Sequence, residues 1–256
     1  MKISSRRLAL RWWLAATISL GWLLAVGVAA AGPTRPSKYG TFQPMTPAQA
    51  QALRPAFVEV ADIPALPRVL LIGDSISVGY TLAVRAQLAG RANVHRPSEN
   101  CGSTGYGLER LEAWLGAGPW AVIHFNFGLH DLKYLDAQGK YVSPEQGQQL
   151  VPVGEYEANL RKLVQRMQQT GAKIIFATTT PIPAGSAGRV EGSELLYNAA
   201  AGRVMRAMKV AVDDLHAHAL ARQGTIQRPQ NVHFTPAGSE ELAGLVTQSI
   251  LSELTP

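Results

Sequence analysis

Beyond residue 67 the chain alternates between short, mostly apolar runs and longer stretches whose apolar residues recur every three or four positions. Val69–Ile72, Ala121–Phe127 and Lys173–Thr178 are of the first kind, each followed by a polar or Gly/Pro-bearing turn. A strand buried on both faces reads this way, because neither side of its pleat meets water. In the second kind, Tyr156, Leu160, Leu163, Val164 and Met167 share one helical face, and Gly171 closes that helix just before the next strand. Further helices are expected over about 78–88, 194–208 and 237–254, with a short strand near 210–212. Such alternation packs as helices on both faces of a mainly parallel sheet. The expected fold is therefore a three-layer α/β/α sandwich over residues 68–256.

The N-terminal part reads differently. Residues 1–31 carry Lys2, Arg6, Arg7 and Arg11 ahead of an apolar stretch from Trp12 to about Val28, then Ala29-Ala30-Ala31 before Gly32. This is the layout of a secretory signal peptide, and it places the mature protein in the periplasm or outside the cell. The stretch is long enough to serve instead as an uncleaved N-terminal anchor, which would make residues 12–31 the chain's membrane contact. Ser5-Arg6-Arg7 hints at twin-arginine export. Residues 32–67, with six prolines before Pro67, read as a Pro-rich linker holding one short ordered piece near Phe57–Val60.

Charge sharpens this picture. The 256 residues hold 24 Lys+Arg and 18 Asp+Glu, for a net +6, which invites a nucleic-acid reading. Four of those cations sit in the leader, so the remainder carries 20 − 18 = +2, and a basic nucleic-acid-binding domain does not fit. A single cysteine, Cys101, excludes an internal disulfide and a four-cysteine zinc site, and reads as a small buried residue. Neither a dinucleotide fingerprint nor a phosphate-binding Gly-x-x-x-x-Gly-Lys-Ser/Thr loop occurs.

Candidate chemistry gathers after the strands, where open α/β sheets carry their functional loops. The first strand runs into Gly73-Asp74-Ser75-Ile76-Ser77. A serine between a buried strand and a helix start holds its hydroxyl at the sheet rim, placed to attack an acyl carbon. Ser and Asp are also the preferred helix caps, so both readings are open at this point. The most placeable base is His233 in Gln230-Asn231-Val232-His233, just before the final helix. Donors for an oxyanion are the Ser75 N–H, Gly102 in Asn100-Cys101-Gly102, and the loop Gly128-Leu129-His130-Asp131. His124 reads as a hydrogen-bonded core residue; His95, His216 and His218 have weaker claims, and no metal site can be assembled from them. Leu132–Gly154, with Tyr134 and Tyr141, reads as a substrate-facing lid or wall. Thr178-Thr179-Thr180-Pro181 reads as a further edge of the cleft. Trp114, Trp120 and Tyr106 read as core more than as platforms for a sugar ring.

Taken in order, Gly73-Asp74-Ser75, Gly102, Gly128-Leu129-His130-Asp131 and the His233 loop resemble the four blocks of the SGNH (GDSL-like) hydrolases. The resemblance implies a flavodoxin-like sandwich and a serine esterase that needs neither metal nor organic cofactor. Ser75 would be nucleophile and oxyanion donor, Gly102 the second donor and His233 the base. Two departures stand out. His130 occupies the place of the third block's asparagine, and an imidazole N–H can donate in its stead. Gln230 occupies the place of the aspartate three residues before the histidine. Gln230 or Asn231 carbonyls could hold the ring without neutralising it, Asp214 is a distant substitute, and Asp131 reads as a structural acceptor for loop amides. The expected activity is that of an exported serine esterase removing an acyl group, acetyl first, from a small-molecule or glycan ester. The alternatives are a catalytically impaired carbohydrate-binding protein on the same scaffold, and a lipase or thioesterase with a greasy cleft lined by Leu132-type residues.

Overall fold

The computed structural model describes residues 37–40 and 46–254. The leader over 1–31, with the expectations of export, cleavage or anchoring attached to it, lies outside the described residues. From residue 46 the elements run α1 (Pro47–Leu53), a 3-10 turn (Arg54–Phe57), β1 (Arg68–Ile72), α2 (Ser75–Gln87), β2 (Asn93–His95), α3 (Thr104–Leu115), β3 (Val122–Phe125), β4 (Tyr134–Leu135), β5 (Gln148–Gln149), α4 (Val153–Gln168), β6 (Lys173–Ala177), α5 (Glu194–Met208), β7 (Ala211–Asp213), α6 (Leu215–Ile226) and α7 (Pro236–Leu254).

Five strands form one parallel sheet in the order β2-β1-β3-β6-β7, with Val69 opposite Val94 and Val122, and Ile123 opposite Ile174. Val69, Leu71, Ile72, Val122, Ile123 and Phe125 are fully buried, as a sheet covered on both faces requires. Helices α2, α7 and α6 pack in one group and α3, α4 and α5 in another. This is the doubly wound α/β sandwich expected from the sequence. Chain order reverses at β1, so the loops leaving β1 and β3 diverge and open a crevice at their carboxyl ends, where such sheets bind ligands.

Residues 46–67 differ from the expected linker. Asn93 binds them to the domain, accepting from the Ile63 N–H at 2.9 Å and donating to the Ile63 and Leu66 carbonyls at 3.0 and 3.1 Å. Arg85 donates to the Pro55 and Val58 carbonyls, and Ala56 is buried. The ordered piece ends at Phe57 rather than starting there, because proline at the head of the 3-10 turn fixes its first residues while Val58 is already extended. The segment 132–154 is likewise no loose lid. Its strands β4 and β5 pair antiparallel, and the Leu150 and Val151 N–H groups donate to the Lys133 and Asp131 carbonyls at 2.9 Å each, fixing it as a wall.

Candidate active site

The turn from β1 into α2 settles how Ser75 is held. Asp74 is the helix cap: its carboxylate accepts from the Ile76 N–H at 2.9 Å. Ser75 is then the first helical residue, and its hydroxyl is released from capping. The Ser75 N–H makes no hydrogen bond to another described residue and so remains a donor at the positive end of α2. Gly73 is needed because a Cβ there would stand 2.9 Å from Ser77 Cβ and Oγ. Ser77 in turn accepts from buried Arg96 at 3.1 Å, and Arg96 also bonds Thr81, so the turn is braced from behind.

His233 reaches the same rim from a closed loop. Gln227 pairs with Phe234 as a β-bridge, and the Arg228 N–H donates to the His233 carbonyl at 2.9 Å. Its Nε2 lies 2.8 Å from Ser75 Oγ across 158 positions of sequence. Nδ1 lies 2.7 Å from Asn231 Oδ1, and the same oxygen accepts from the His233 backbone N–H at 3.0 Å. That N–H can only donate, which fixes the amide with its oxygen toward the ring. Nδ1 must therefore carry the ring proton, and Nε2 is left as an acceptor for the Ser75 hydroxyl. Burial first, then the Arg189 and Arg228 guanidiniums, hold the His233 imidazolium below the usual histidine range, so the ring is the free base at neutral pH.

The partner of the His233 ring on the side away from Ser75 is thus Asn231, two residues before the histidine. Gln230 takes no part in it: with φ 52° it lies at the loop apex, and its side chain packs against Gly185. Asp214 is no substitute carboxylate either. It caps α6, accepting from the Ala217 N–H at 3.2 Å, and bonds Thr178 Oγ1 at 3.0 Å. Asp131 is a buried acceptor for the start of α3, taking the Thr104 N–H at 2.8 Å and the Thr104 hydroxyl.

A cleft of about 1180 Å³ opens over the pair and is lined by Ser75, Asn100, His130, Arg189, Arg228 and His233, among others. Gly102 stands behind it with φ 59°, its N–H directed to Asn100 Oδ1 at 3.0 Å, so that donor is engaged within its own loop. His130 is buried, and Lys133 Nζ lies 3.3 Å from its Nδ1. Burial, reinforced by the charges of Lys133 and Arg189, holds the His130 imidazolium well below the ordinary histidine range. Lys133 is itself fully buried, and burial with the Arg189 charge pushes its ammonium down to about 7. Sequence reasoning missed this lysine, since lysine is ordinarily a surface residue. It also missed Arg189, whose Nε and Nη1 donate to the Leu129 and Ala187 carbonyls at 2.9 and 3.1 Å and whose guanidinium stands 5.3 Å from the Tyr141 ring centre.

Tyr141 lines the cleft, whereas Leu132 is core. Thr179 and Thr180 are buried supports: Thr179 Oγ1 donates to the Phe127 carbonyl at 3.0 Å. Trp114 and Trp120 are core, donating to Glu99 and to the Leu115 carbonyl, while Tyr106 borders the cleft with its hydroxyl on Glu99. His124 is a core residue bound to Asp213 at 2.9 Å, Cys101 is buried, and His95, His216 and His218 pair with Asp62, Glu194 and Glu241. Among the described residues no three His, Cys, Asp or Glu side chains are grouped to hold a metal ion.

A serine hydroxyl hydrogen-bonded to an imidazole, with the Ser75 N–H beside it at the switch point of a parallel sheet, is an arrangement chemically able to attack an acyl carbon. The chain belongs to the GDSL-like Lipase/Acylhydrolase family, which matches residues 71–240, and it is an ester-hydrolysing enzyme. No curated protein matches it in sequence. Solved structures with the same fold include the acetyl xylan esterase AlAXEase (16% identity, 72% of this chain and 99% of that one, TM-score 0.59). They also include the lipase/acylhydrolase from Enterococcus faecalis (20%, 73% and 96%, TM-score 0.59) and Axe2, an acetylxylan esterase from Geobacillus stearothermophilus (18%, 74% and 94%, TM-score 0.56).

Proposed function

We propose that this chain is an exported serine esterase that removes acetyl groups from a carbohydrate, with Ser75 as nucleophile and His233 as general base. The 2.8 Å bond between Ser75 Oγ and His233 Nε2 carries the reading. In the first half-reaction Oγ attacks the acyl carbon and its proton passes to Nε2, leaving an imidazolium whose Nδ1–H stays on Asn231 Oδ1. The tetrahedral oxyanion takes hydrogen bonds from the Ser75 N–H and the His130 ring N–H, with Gly102 as a further donor when Asn100 releases it. Collapse expels the alcohol, protonated by His233. Water then attacks the acyl-enzyme with His233 again as base and restores the free serine.

Support for a saccharide comes from the size of the cleft, from the tyrosine rings of Tyr106 and Tyr141 on its border, and from neighbours described as acetyl xylan esterases. A second reading, a lipase or long-chain acylhydrolase, has its own observation: Leu53, Phe57 and Leu82 give the cleft an apolar wall. One experiment addresses both. The purified protein should hydrolyse 4-nitrophenyl acetate and acetylated xylo-oligosaccharides, and Ser75→Ala should abolish turnover and labelling by a fluorophosphonate. Activity that survives in Ser75→Ala overturns the nucleophile assignment. A kcat/KM that climbs from acetate to octanoate selects the lipase reading.

A further inference from the structure

Lys133 is a fully buried lysine three residues beyond His130, and its Nζ lies 3.3 Å from His130 Nδ1. An ammonium has hydrogens to give and no lone pair to accept with. The His130 ring is neutral and carries one proton. If Nδ1 receives a hydrogen from Lys133, the ring proton is on Nε2. We infer that Lys133 is a positioning residue: it holds His130 as the Nε2–H tautomer and so keeps a hydrogen-bond donor in the cleft where an oxyanion forms. The inference rests on the serine mechanism proposed above.

Neighbouring charges set when this works. Asp131, in the same loop, and Asp74, ahead of α2, favour the ammonium; burial and Arg189, from the loop after β6, oppose it. Tyr141 presents its ring to both Lys133 and Arg189, each 5.3 Å from the ring centre, and His233 acts on His130 from the loop before α7. Above its titration, near pH 7, Lys133 becomes an amine that can accept as well as donate. The Nδ1–H tautomer of His130 then becomes accessible, and in that tautomer Nε2 turns a lone pair toward the oxyanion. Activity therefore falls as pH rises through the lysine's titration. It also falls as pH drops through that of His233, below 6.5. The profile of kcat is a narrow bell.

The test replaces Lys133 with methionine, which keeps length and apolar stem. Kcat should fall about 10- to 100-fold, less than the ~10²–10³ for outright loss of an oxyanion donor, with KM little changed. The alkaline limb should vanish. His130→Asn, whose amide donates unaided, should also lack that limb, and adding Lys133→Met to it should cost no further activity. Should Lys133→Met fail to fold, the 15N spectrum of the wild-type His130 ring decides. A proton on Nε2 at pH 6, shifting toward a tautomer mixture above pH 8, supports the inference. A proton on Nδ1 at pH 6, or a Lys133→Met enzyme that keeps its kcat and alkaline limb, overturns it. The spectrum is read without turnover, so its outcome is separate from that of Ser75→Ala.

Discussion

Asn231→Asp is the most direct probe of the relay. The Asn231 side chain closes an Asx-turn, with Oδ1 accepting the His233 N–H at 3.0 Å and the ring Nδ1–H at 2.7 Å. An aspartate fits the same turn atom for atom, so the substitution adds charge without changing orientation. With ring and carboxylate charge centres ~4 Å apart and an effective dielectric near 20, the attraction to the imidazolium is ~4 kcal/mol. His233 is partly exposed, the new carboxylate loses hydration, and Arg189 and Arg228 draw on it as well. About 1–3 kcal/mol remains, or roughly 10- to 100-fold in rate and 1–2 units in the ring's pKa. In serine proteases the reverse change costs ~10⁴, chiefly because it leaves the wrong tautomer. Here the His233 backbone N–H has already selected the right one, so the smaller figure applies. The assay is kcat/KM for 4-nitrophenyl acetate from pH 4 to 9. The acidic limb should move up by 1–2 units, toward the alkaline limb set by Lys133, while the rate between the two limbs increases. Gln230→Asp, whose side chain faces Gly185, should leave the limb in place. A limb that stays put in Asn231→Asp, or a rate lowered at every pH, would refute the tautomer assignment.

Two further outcomes concern stability. Gly128 has φ 152°, and a Cβ there would stand 2.0 Å from Thr179 Oγ1; Gly128→Ala should destabilise by roughly 1–3 kcal/mol or more in urea unfolding, and Thr179→Ala should return part of the loss. Burial pushes the Asp131 carboxyl up to about 7, so between its unfolded value near 4 and 7 the folded state binds the extra proton and this group's contribution to stability falls as pH rises. Asp131→Asn keeps an acceptor for Thr104 and removes that slope. Its stability relative to wild type should therefore increase from pH 4 to 7 in urea titrations, a difference that leaves aside the opposite-signed share of His130 and His233.

The frame was legible because β1, β3 and β6 are apolar on both faces and α4 presents one apolar stripe. Other elements were hidden for local reasons. In β2, Asn93-Val94-His95, the single apolar residue lies on a three-residue edge strand. Gly105 and Gly107 disguise α3, and packing demands them: a Cβ at either position would meet the Tyr39 or Phe127 ring within 3 Å. Serine and histidine were readable from their places after β1 and before α7. Asn231 was readable only as one of two amides, with Gln230, whose carbonyl could hold the ring; what decides between them is an Asx-turn, which an Asn two residues ahead of the histidine favours. The buried lysine left no such trace, because what surrounds it, the Leu150 N–H on its carbonyl and the Tyr141 ring near its ammonium, is brought there by tertiary folding.

These parts together give the site an unusual balance of charge. In a Ser-His-Asp enzyme the carboxylate stabilises the imidazolium. Here Asn231 orients the ring without charge, and Arg189 and Arg228 disfavour its protonation. In the proposed mechanism, however, the species formed on attack is an ion pair, imidazolium and oxyanion together, and its energy depends on both. Lys133 and Arg189 both act on His130, the proposed oxyanion donor, so in that mechanism the cations that penalise one half of the pair favour the other. The same arrangement keeps His233 unprotonated at a pH where a carboxylate-paired histidine would already be half charged. If Ser75 and His233 work as proposed, an asparagine-held ring suits a base that must stay free in mildly acidic surroundings. In Asn231→Asp the gain in rate should therefore appear only between the shifted acidic limb and the alkaline limb set by Lys133.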